Sequence, residues 1–261
     1  IIRSHARLTY NQVQAAKDGN PDNITKPLLK SVIAPLYKAY DDLANARAKR
    51  KTLDFDLPER TVLLNKDGSV KDISTKDRLD SHRLIEEYMI TANVAAASQL
   101  EKAFTSTGPC CLYRVHDRPT ELKLVALRQF LDSQDVLLPS DEEITSGTFS
   151  EIIQHFKGTE KEELINMVLL RSQAQATYTP INVGHFGLAL DRYAHFTSPI
   201  RRYADLVVHR ALIETCGLGK DGISEEERFK LDEVGADISK TERRSIQAER
   251  DTKDRYSALY M

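Results

Sequence analysis

The stretch that decides the reading is Gly184-His185-Phe186-Gly187-Leu188-Ala189-Leu190, followed by Tyr193-Ala194-His195-Phe196-Thr197-Ser198-Pro199-Ile200-Arg201-Arg202-Tyr203-Ala204-Asp205-Leu206. The first part reads as a short apolar strand bounded by glycines, and Thr197-Ser198-Pro199 has the chemistry of a helix start. A serine hydroxyl accepts from an otherwise unpaired amide, and proline suits the first helical position, where its missing N–H has no partner to lose. A helix starting at Pro199 with Ser198 as its cap is therefore expected. At about 100° per residue, Ile200, Tyr203, Ala204, Val207 and Ala211 fall on a face to be buried, and Arg201, Arg202, Asp205 and His209 gather opposite. A helix start offers free amides and partial positive charge, and two guanidiniums add permanently charged planar forks. Phosphate oxygens are the ligand this arrangement fits best. The residues alone leave open a plainer alternative, in which Arg201 and Arg202 pair with acids on a neighbouring element.

Working outward, His195 to Arg210 with the preceding His185 to Leu190 run closely resembles the catalytic-domain signature shared by ribonuclease II and ribonuclease R, and looks more like the ribonuclease R branch. Ser4-His5-Ala6-Arg7-Leu8-Thr9-Tyr10 and Ala248-Glu249-Arg250-Asp251 agree with the same family, so the resemblance covers nearly the whole chain. It implies an α+β fold: the mainly helical remainder of an RNB-type exoribonuclease catalytic domain with a few short strands, residues 1–261 forming the C-terminal part of that one domain. It further implies a processive 3′→5′ exoribonuclease that hydrolyses single-stranded RNA to nucleoside 5′-monophosphates with magnesium. Carried over position by position, Arg201 is the catalytic phosphate contact and Arg202 its support. Tyr10 stacks on a base near the 3′ end, and His185, Glu249 and Arg250 line the cleft. Stacking suits a nuclease indifferent to sequence, because every base has a π-face. Without the family, Tyr10 reads as a half-buried strand tyrosine.

Magnesium prefers hard oxygen ligands, and in the resembled family these come from closely spaced aspartates upstream of the Ser4 to Tyr10 motif. Nothing of that kind stands before Tyr10. Asp41-Asp42 and Asp141-Glu142-Glu143 lie in a helix and an acidic loop, so no metal ligand is assigned to this chain. The family's flanking oligonucleotide-binding barrels are also missing from it. The chain opens on Ile1 and stops at Met261 inside a helical pattern, which leads us to expect a piece of a longer protein. The alternative is a non-catalytic RNA-binding or interaction protein that keeps the fold without the metal-binding acids.

Composition sets wider bounds. Lys and Arg number 37 against 39 Asp and Glu, a formal net charge of −2, so any nucleic-acid surface must be a local patch. No run approaches the roughly 18 apolar residues of a membrane span, and no signal-peptide pattern appears. Three cysteines, Cys110, Cys111 and Cys216, have no metal-ligand spacing. A cytoplasmic monomer with reduced thiols is expected.

The rest of the chain supplies scaffold. Helical spacing predicts a long helix from Thr25 through Leu28, Leu29, Val32, Leu36, Tyr40 and Leu43 to the basic run Arg47–Lys51, whose cations suit a solvated C-terminal end. Thr61–Leu64 and Val70–Ile73 across Asp67-Gly68 read as a β-hairpin. An alanine-rich helix is predicted over Leu79–Phe104, with Ile85, Tyr88, Met89, Ala92, Ala96 and Leu100 inward and Glu86 and Asn93 on a polar side that caps neighbours. Cys110–Val115 is strand-like, His116–Pro119 a turn held by local hydrogen bonds, and Thr120–Asp132, Thr148–Lys157 and Glu160–Ala176 helices. Arg171 suits an ion pair. Gly217–Gly222 lacks the ending of a phosphate loop and is a linker, after which Ser224–Tyr260 forms a charge-laced helix.

Overall fold

The computed structural model describes residues 3–55, 59–76, 78–103, 108–109 and 111–260. Phe104 and Cys110, at ends of an expected helix and strand, lie outside them. The fold is α+β and mostly helical, with two small two-stranded sheets. Among the described residues no helix is long and apolar enough to cross a membrane. The chain divides into two compact units, Ile1–Lys49 with Lys76–Thr91, and Arg50–Thr75 with Ala92–Met261.

The first unit begins with α1 (Tyr10–Lys17), so Tyr10 opens a helix and does not lie on a strand. The cause is a capping box: the Thr9 hydroxyl accepts the Gln12 N–H at 3.2 Å, and the Gln12 side chain accepts the Thr9 N–H at 2.9 Å. Two orphan amides satisfied reciprocally outweigh the β preference of the flanking residues. The helix expected from Thr25 forms, but through one 3₁₀ turn, Lys26–Leu28, and one π turn, Leu29–Ile33, before α2 (Ala34–Arg50). A π turn holds an extra residue and rotates everything after it. Ile33 and Tyr37 are buried at 3% and 8% exposure, whereas Val32 and Leu36 of the predicted stripe stand 41% and 38% exposed.

Ala16, Ile33, Tyr37 and Leu84 form this unit's core, Leu84 coming from the first part of α3 (Asp80–Ala103). The basic end of α2 is more than a solvated terminus. Arg47 reaches Glu86 at 3.2 Å and Glu87 at 2.6 Å, and the Glu87 side chain is only 6% exposed.

In the second unit, β1 (Glu59–Leu64) and β2 (Val70–Lys76) form the expected hairpin, with Gly68 at φ +84° in the turn. β3 (Tyr113–Val115) pairs antiparallel with β4 (Thr177–Thr179), setting Arg114 opposite Tyr178. Between them in sequence, α4 (Glu121–Asp132), α5 (Ser146–Phe156) and α6 (Glu162–Ser172) enclose Leu127, Leu131, Phe149, Ile165 and Leu169. Arg171 at the end of α6 is exposed. The main core joins Ala96, Ala97 and Leu100 of α3, Leu112 and Tyr113 beside the sheet, and Ala204, Val207, Val208 and Ala211 of α7 (Tyr203–Cys216). Gly217 ends α7 in the left-handed region at φ +61°, and a linker leads to α8 (Glu225–Phe229) and α9 (Leu231–Tyr260).

α9 lies close on β4 because its facing residues are small. The Ser239 hydroxyl accepts the Tyr178 N–H at 2.9 Å, and a Cβ on Gly235 would stand 2.5 Å from the Tyr178 carbonyl oxygen. Backbone cannot yield as a flexible side chain can, so Gly235→Ala should destabilise the protein by about 1–3 kcal/mol. Chemical denaturation reads this as a lower midpoint at unchanged slope, and an unchanged midpoint refutes the close approach.

Candidate nucleic-acid interface

The site residues expected from sequence around Ser198 are held by a turn, not a helix. α7 starts at Tyr203 with Arg202 in the cap position, four residues later than Pro199 would begin it. Among the described residues the Ser198 hydroxyl makes no capping hydrogen bond. Instead the Ser198 carbonyl accepts the Arg201 and Arg202 amides at 3.2 and 3.1 Å, while the Ser198 N–H donates to Asp205 Oδ1 at 2.6 Å. Asp205, placed by periodicity on the outer face, is fully buried, and Ile200 and Tyr203, placed on the inner face, stand 102% and 57% exposed. Ile200 falls before the helix and Tyr203 is its first residue, while Asp205 is drawn inward by the Ser198 N–H and Arg202; Ala204, Val207 and Ala211 are buried as the periodicity predicts. Arg202 gives two nitrogens to Asp205, Nε at 2.7 Å and Nη2 at 2.9 Å. Arg201 is exposed, and among the described residues its guanidinium makes no hydrogen bond or ion pair. The two arginines therefore divide the alternatives, one locked to an acid of its own helix and one open to solvent.

Preceding residues of the turn are equally tied. Asn93 Oδ1 accepts the Phe196 and Thr197 N–H groups at 2.9 and 3.2 Å. His209 Nε2 donates to the Phe196 carbonyl at 2.9 Å, and the two rings stack at 4.3 Å. Asn93 is the neighbour-capping residue anticipated on α3, and what it caps is this turn.

Behind the turn runs a row of polar rings. Tyr178 meets His195 at 5.6 Å, His195 meets Tyr193 at 5.6 Å, Tyr193 meets His185 at 5.4 Å, and His185 meets His116 at 5.1 Å between centroids. The Arg114 guanidinium lies 4.5 Å over the Tyr178 ring and is held by Glu242 of α9 at 2.6 and 3.0 Å. Gly184–Leu190 is not the strand the sequence suggested. It is a loop around a 3₁₀ turn, Phe186–Leu188, joined to its surroundings by single bridges from His185 to His116 and to Leu190. The reason is side-chain competition for backbone amides: His185 Nδ1 accepts the Leu188 N–H at 3.2 Å, and His116 Nδ1 accepts the Gly187 N–H at 3.0 Å. Ala189 closes the turn at φ +51°, a left-handed conformation costing an alanine about 1–2 kcal/mol.

The row is electrically neutral at ordinary pH. Burial, with the neighbouring His116 and Arg114 adding repulsion, pushes His185 down to about 3. Burial, then the Arg202 and Arg114 cations, pushes His195 down to about 2. His116 is lowered chiefly by burial, and its Nε2 donates to the Ala174 carbonyl at 3.0 Å. Desolvation disfavours the charged imidazolium in each case.

Three candidates remain. In the first unit Tyr10 stacks on His82 with centroids 4.1 Å apart and stays 44% exposed. In the second unit Glu249 pairs with Lys253 at 2.7 Å and lines a groove of about 620 Å³ with Thr61, Val62, Leu64 and Tyr256. Arg250 is exposed. Among the described residues, neither Glu249 nor Arg250 shares a hydrogen bond or ion pair with the turn at Ser198. Sequence reasoning missed Asp205, Tyr178, Tyr193, Arg114 and Glu242 as site-forming residues. An acid at the third position of a helix was the one usable signal, since such a carboxylate reaches back to amides before the helix. Among the described residues no three His, Cys, Asp or Glu side chains gather as a metal site, so they do not by themselves fit the magnesium that the resemblance implies.

Residues 1–216 match the RNB domain family. Ribonuclease R of Aquifex aeolicus is 41% identical over 262 residues, which cover 100% of this chain and 36% of that protein. Ribonuclease R of Escherichia coli is 36% identical, covering 97% of this chain and 32% of that protein, so the chain spans about a third of the length of these relatives. The solved structure of Mycoplasma genitalium RNase R in complex with ribose methylated single-stranded RNA matches at a TM-score of 0.83 and 26% identity, over 97% of this chain and 40% of that one. Yeast Ssd1, a pseudonuclease, shares the fold at a TM-score of 0.63 and 18% identity. The matching stretch, the identities and the shared fold agree: this chain belongs to the RNB domain family.

Proposed function

We propose that the native protein is a processive 3′→5′ exoribonuclease that degrades single-stranded RNA to nucleoside 5′-monophosphates, acting as a cytoplasmic monomer, and that this chain supplies the C-terminal part of its catalytic domain. One observation carries the reading: Arg201, exposed and without a side-chain partner among the described residues, projects from a turn whose backbone is fixed by buried side chains. A planar, permanently charged fork on a rigid base suits the charge that develops on a scissile phosphate, and pre-organised donors there need no rearrangement during reaction. Membership of the RNB domain family and the RNA-bound RNase R from Mycoplasma genitalium support the same substrate class.

In this reading Arg201 contacts the phosphate and Arg202 supports it through Asp205. Tyr10 offers its open ring face to the terminal base, with His82 stacked behind it. Neutral His185 contributes shape rather than charge, because its Nδ1 holds the Gly184–Leu190 loop. Glu249 and Arg250 line the strand's route on α9. Magnesium belongs to the proposal as a requirement of the whole protein, with ligands outside the described residues.

Arg201→Ala in the native protein should lower kcat about a hundredfold with KM nearly unchanged, the pattern of a contact made in the transition state. Single-turnover release of mononucleotides measures this, and equal losses in affinity and turnover would reduce Arg201 to a binding residue. A native protein that binds RNA but releases no mononucleotide would instead establish the non-catalytic alternative.

The depressed histidines set the response to acid. Unfolded histidine titrates near 6.5, and His185 and His195 titrate at about 3 and about 2 in the fold. Below pH about 6.5 the unfolded chain binds protons that the folded chain refuses, so stability is full above that pH and declines as pH falls. His185→Asn keeps an acceptor for the Leu188 N–H and removes one such proton. Its denaturation midpoint should therefore fall less steeply than wild type between pH 7 and pH 5; parallel declines would show that His185 is protonated in the folded protein.

A further inference from the structure

We infer that Asn93 is a positioning residue for Arg201, fixing the backbone from which that guanidinium projects. The inference rests on the proposed role of Arg201 as the phosphate contact and adds to it a residue that makes no contact with RNA.

Asn93 is 2% exposed on a stretch of α3 whose other buried residues are Ala96, Ala97 and Leu100. A carboxamide in such a place is retained only if its polar atoms are matched. They are: Oδ1 accepts two successive amides, Phe196 at 2.9 Å and Thr197 at 3.2 Å, and Nδ2 donates to the Tyr193 hydroxyl at 2.9 Å. Asp205 then takes the next amide, Ser198, at 2.6 Å. The Ser198 carbonyl in turn receives the Arg201 and Arg202 amides at 3.2 and 3.1 Å. The path from Asn93 to Arg201 is thus a run of hydrogen bonds that fixes the amides of Phe196, Thr197, Ser198 and Arg201. His209 holds the Phe196 carbonyl from the opposite side at 2.9 Å.

The chemistry required of position 93 is narrow. It needs an acceptor at the Oδ1 position to hold two N–H groups, and a second polar atom facing the Tyr193 hydroxyl. Aspartate meets both demands, because the Tyr193 hydroxyl can rotate and donate to the second oxygen. Leucine is close in volume and offers no acceptor.

In the native protein, Asn93→Leu should lower kcat on single-stranded RNA about a hundredfold, the scale of a slightly misplaced catalytic group, while KM stays within about threefold. Asn93→Asp should restore most of the loss. Tyr193→Phe, which removes only the hydroxyl that Nδ2 reaches, should give a smaller loss and serves if Asn93→Leu does not fold. Hydrogen exchange supplies a readout separate from activity: the Phe196 and Thr197 amides should exchange slowly in wild type and quickly in Asn93→Leu, with α7 unchanged. Unaltered turnover in Asn93→Leu, a loss that Asn93→Asp does not restore, or fast exchange of both amides in wild type would each overturn the inference. A wild-type protein that releases no mononucleotides fails the proposed function itself, whereas an active wild type with unaltered Asn93→Leu turnover overturns only the role of Asn93.

Discussion

Three consecutive backbone N–H groups, those of Phe196, Thr197 and Ser198, are captured by two buried side chains, Asn93 and Asp205. Amides in a turn next to a core must be bonded to something, because leaving them buried and unmatched costs more than a typical hydrogen bond contributes. Here the partners come from two different helices, and the turn they hold determines the rest. It delays α7 to Tyr203, draws Arg202 inward onto Asp205 and leaves Arg201 outside. A buried carboxylate with no counter-charge would be costly, so Asp205 and Arg202 are mutually obligatory.

Behind this turn, the ring row adds shape without charge. Three histidines and two tyrosines meet edge to face, and the two phenols, both His116 nitrogens and the Nδ1 atoms of His185 and His195 are matched by Asn93, by backbone groups or by one another. Burial also raises the Tyr178 phenol to about 12 and lifts that of Tyr193. Phenols and imidazoles alike therefore stay uncharged, and the guanidiniums beside the row are those of Arg114, Arg201 and Arg202, with the Lys123 ammonium near His116. Arg114 and Arg202 are compensated by Glu242 and Asp205, which leaves Arg201 as the uncompensated one of the three.

Much of the scaffold was legible because it follows local rules. The β1–β2 hairpin follows from Asp67-Gly68, the long α3 from its alanine-rich periodicity, and the linker after α7 from its glycines. Family motifs drew attention to Arg201, Tyr10 and Glu249, and local chemistry misjudged the settings of the first two. Tyr10 sits at a helix start because the Thr9 and Gln12 capping box outweighs the β-favouring residues that suggested a strand. The stripe on α2 moved by a residue because a π turn leaves no compositional trace. The helix start at Pro199 failed because Ser198 found a partner seven residues ahead in Asp205, and Ile200 and Tyr203 followed it outward. The pairing of Asn93 with Phe196, 103 residues away, depends on tertiary packing that no local pattern reports.

α9 combines a tight end with a loose one. Residues Leu231 to Glu242 are clamped by Gly235 and Ser239 against β4 and by the Arg114 pair. Beyond Glu242 the helix runs on to Tyr260, about 27 Å at 1.5 Å per residue, with its side chains mostly in solvent and with contacts to the hairpin. That makes it a cantilever. A few degrees of rotation at the clamped root would carry Glu249 and the whole hairpin sideways together, while the turn bearing Arg201 stayed in place.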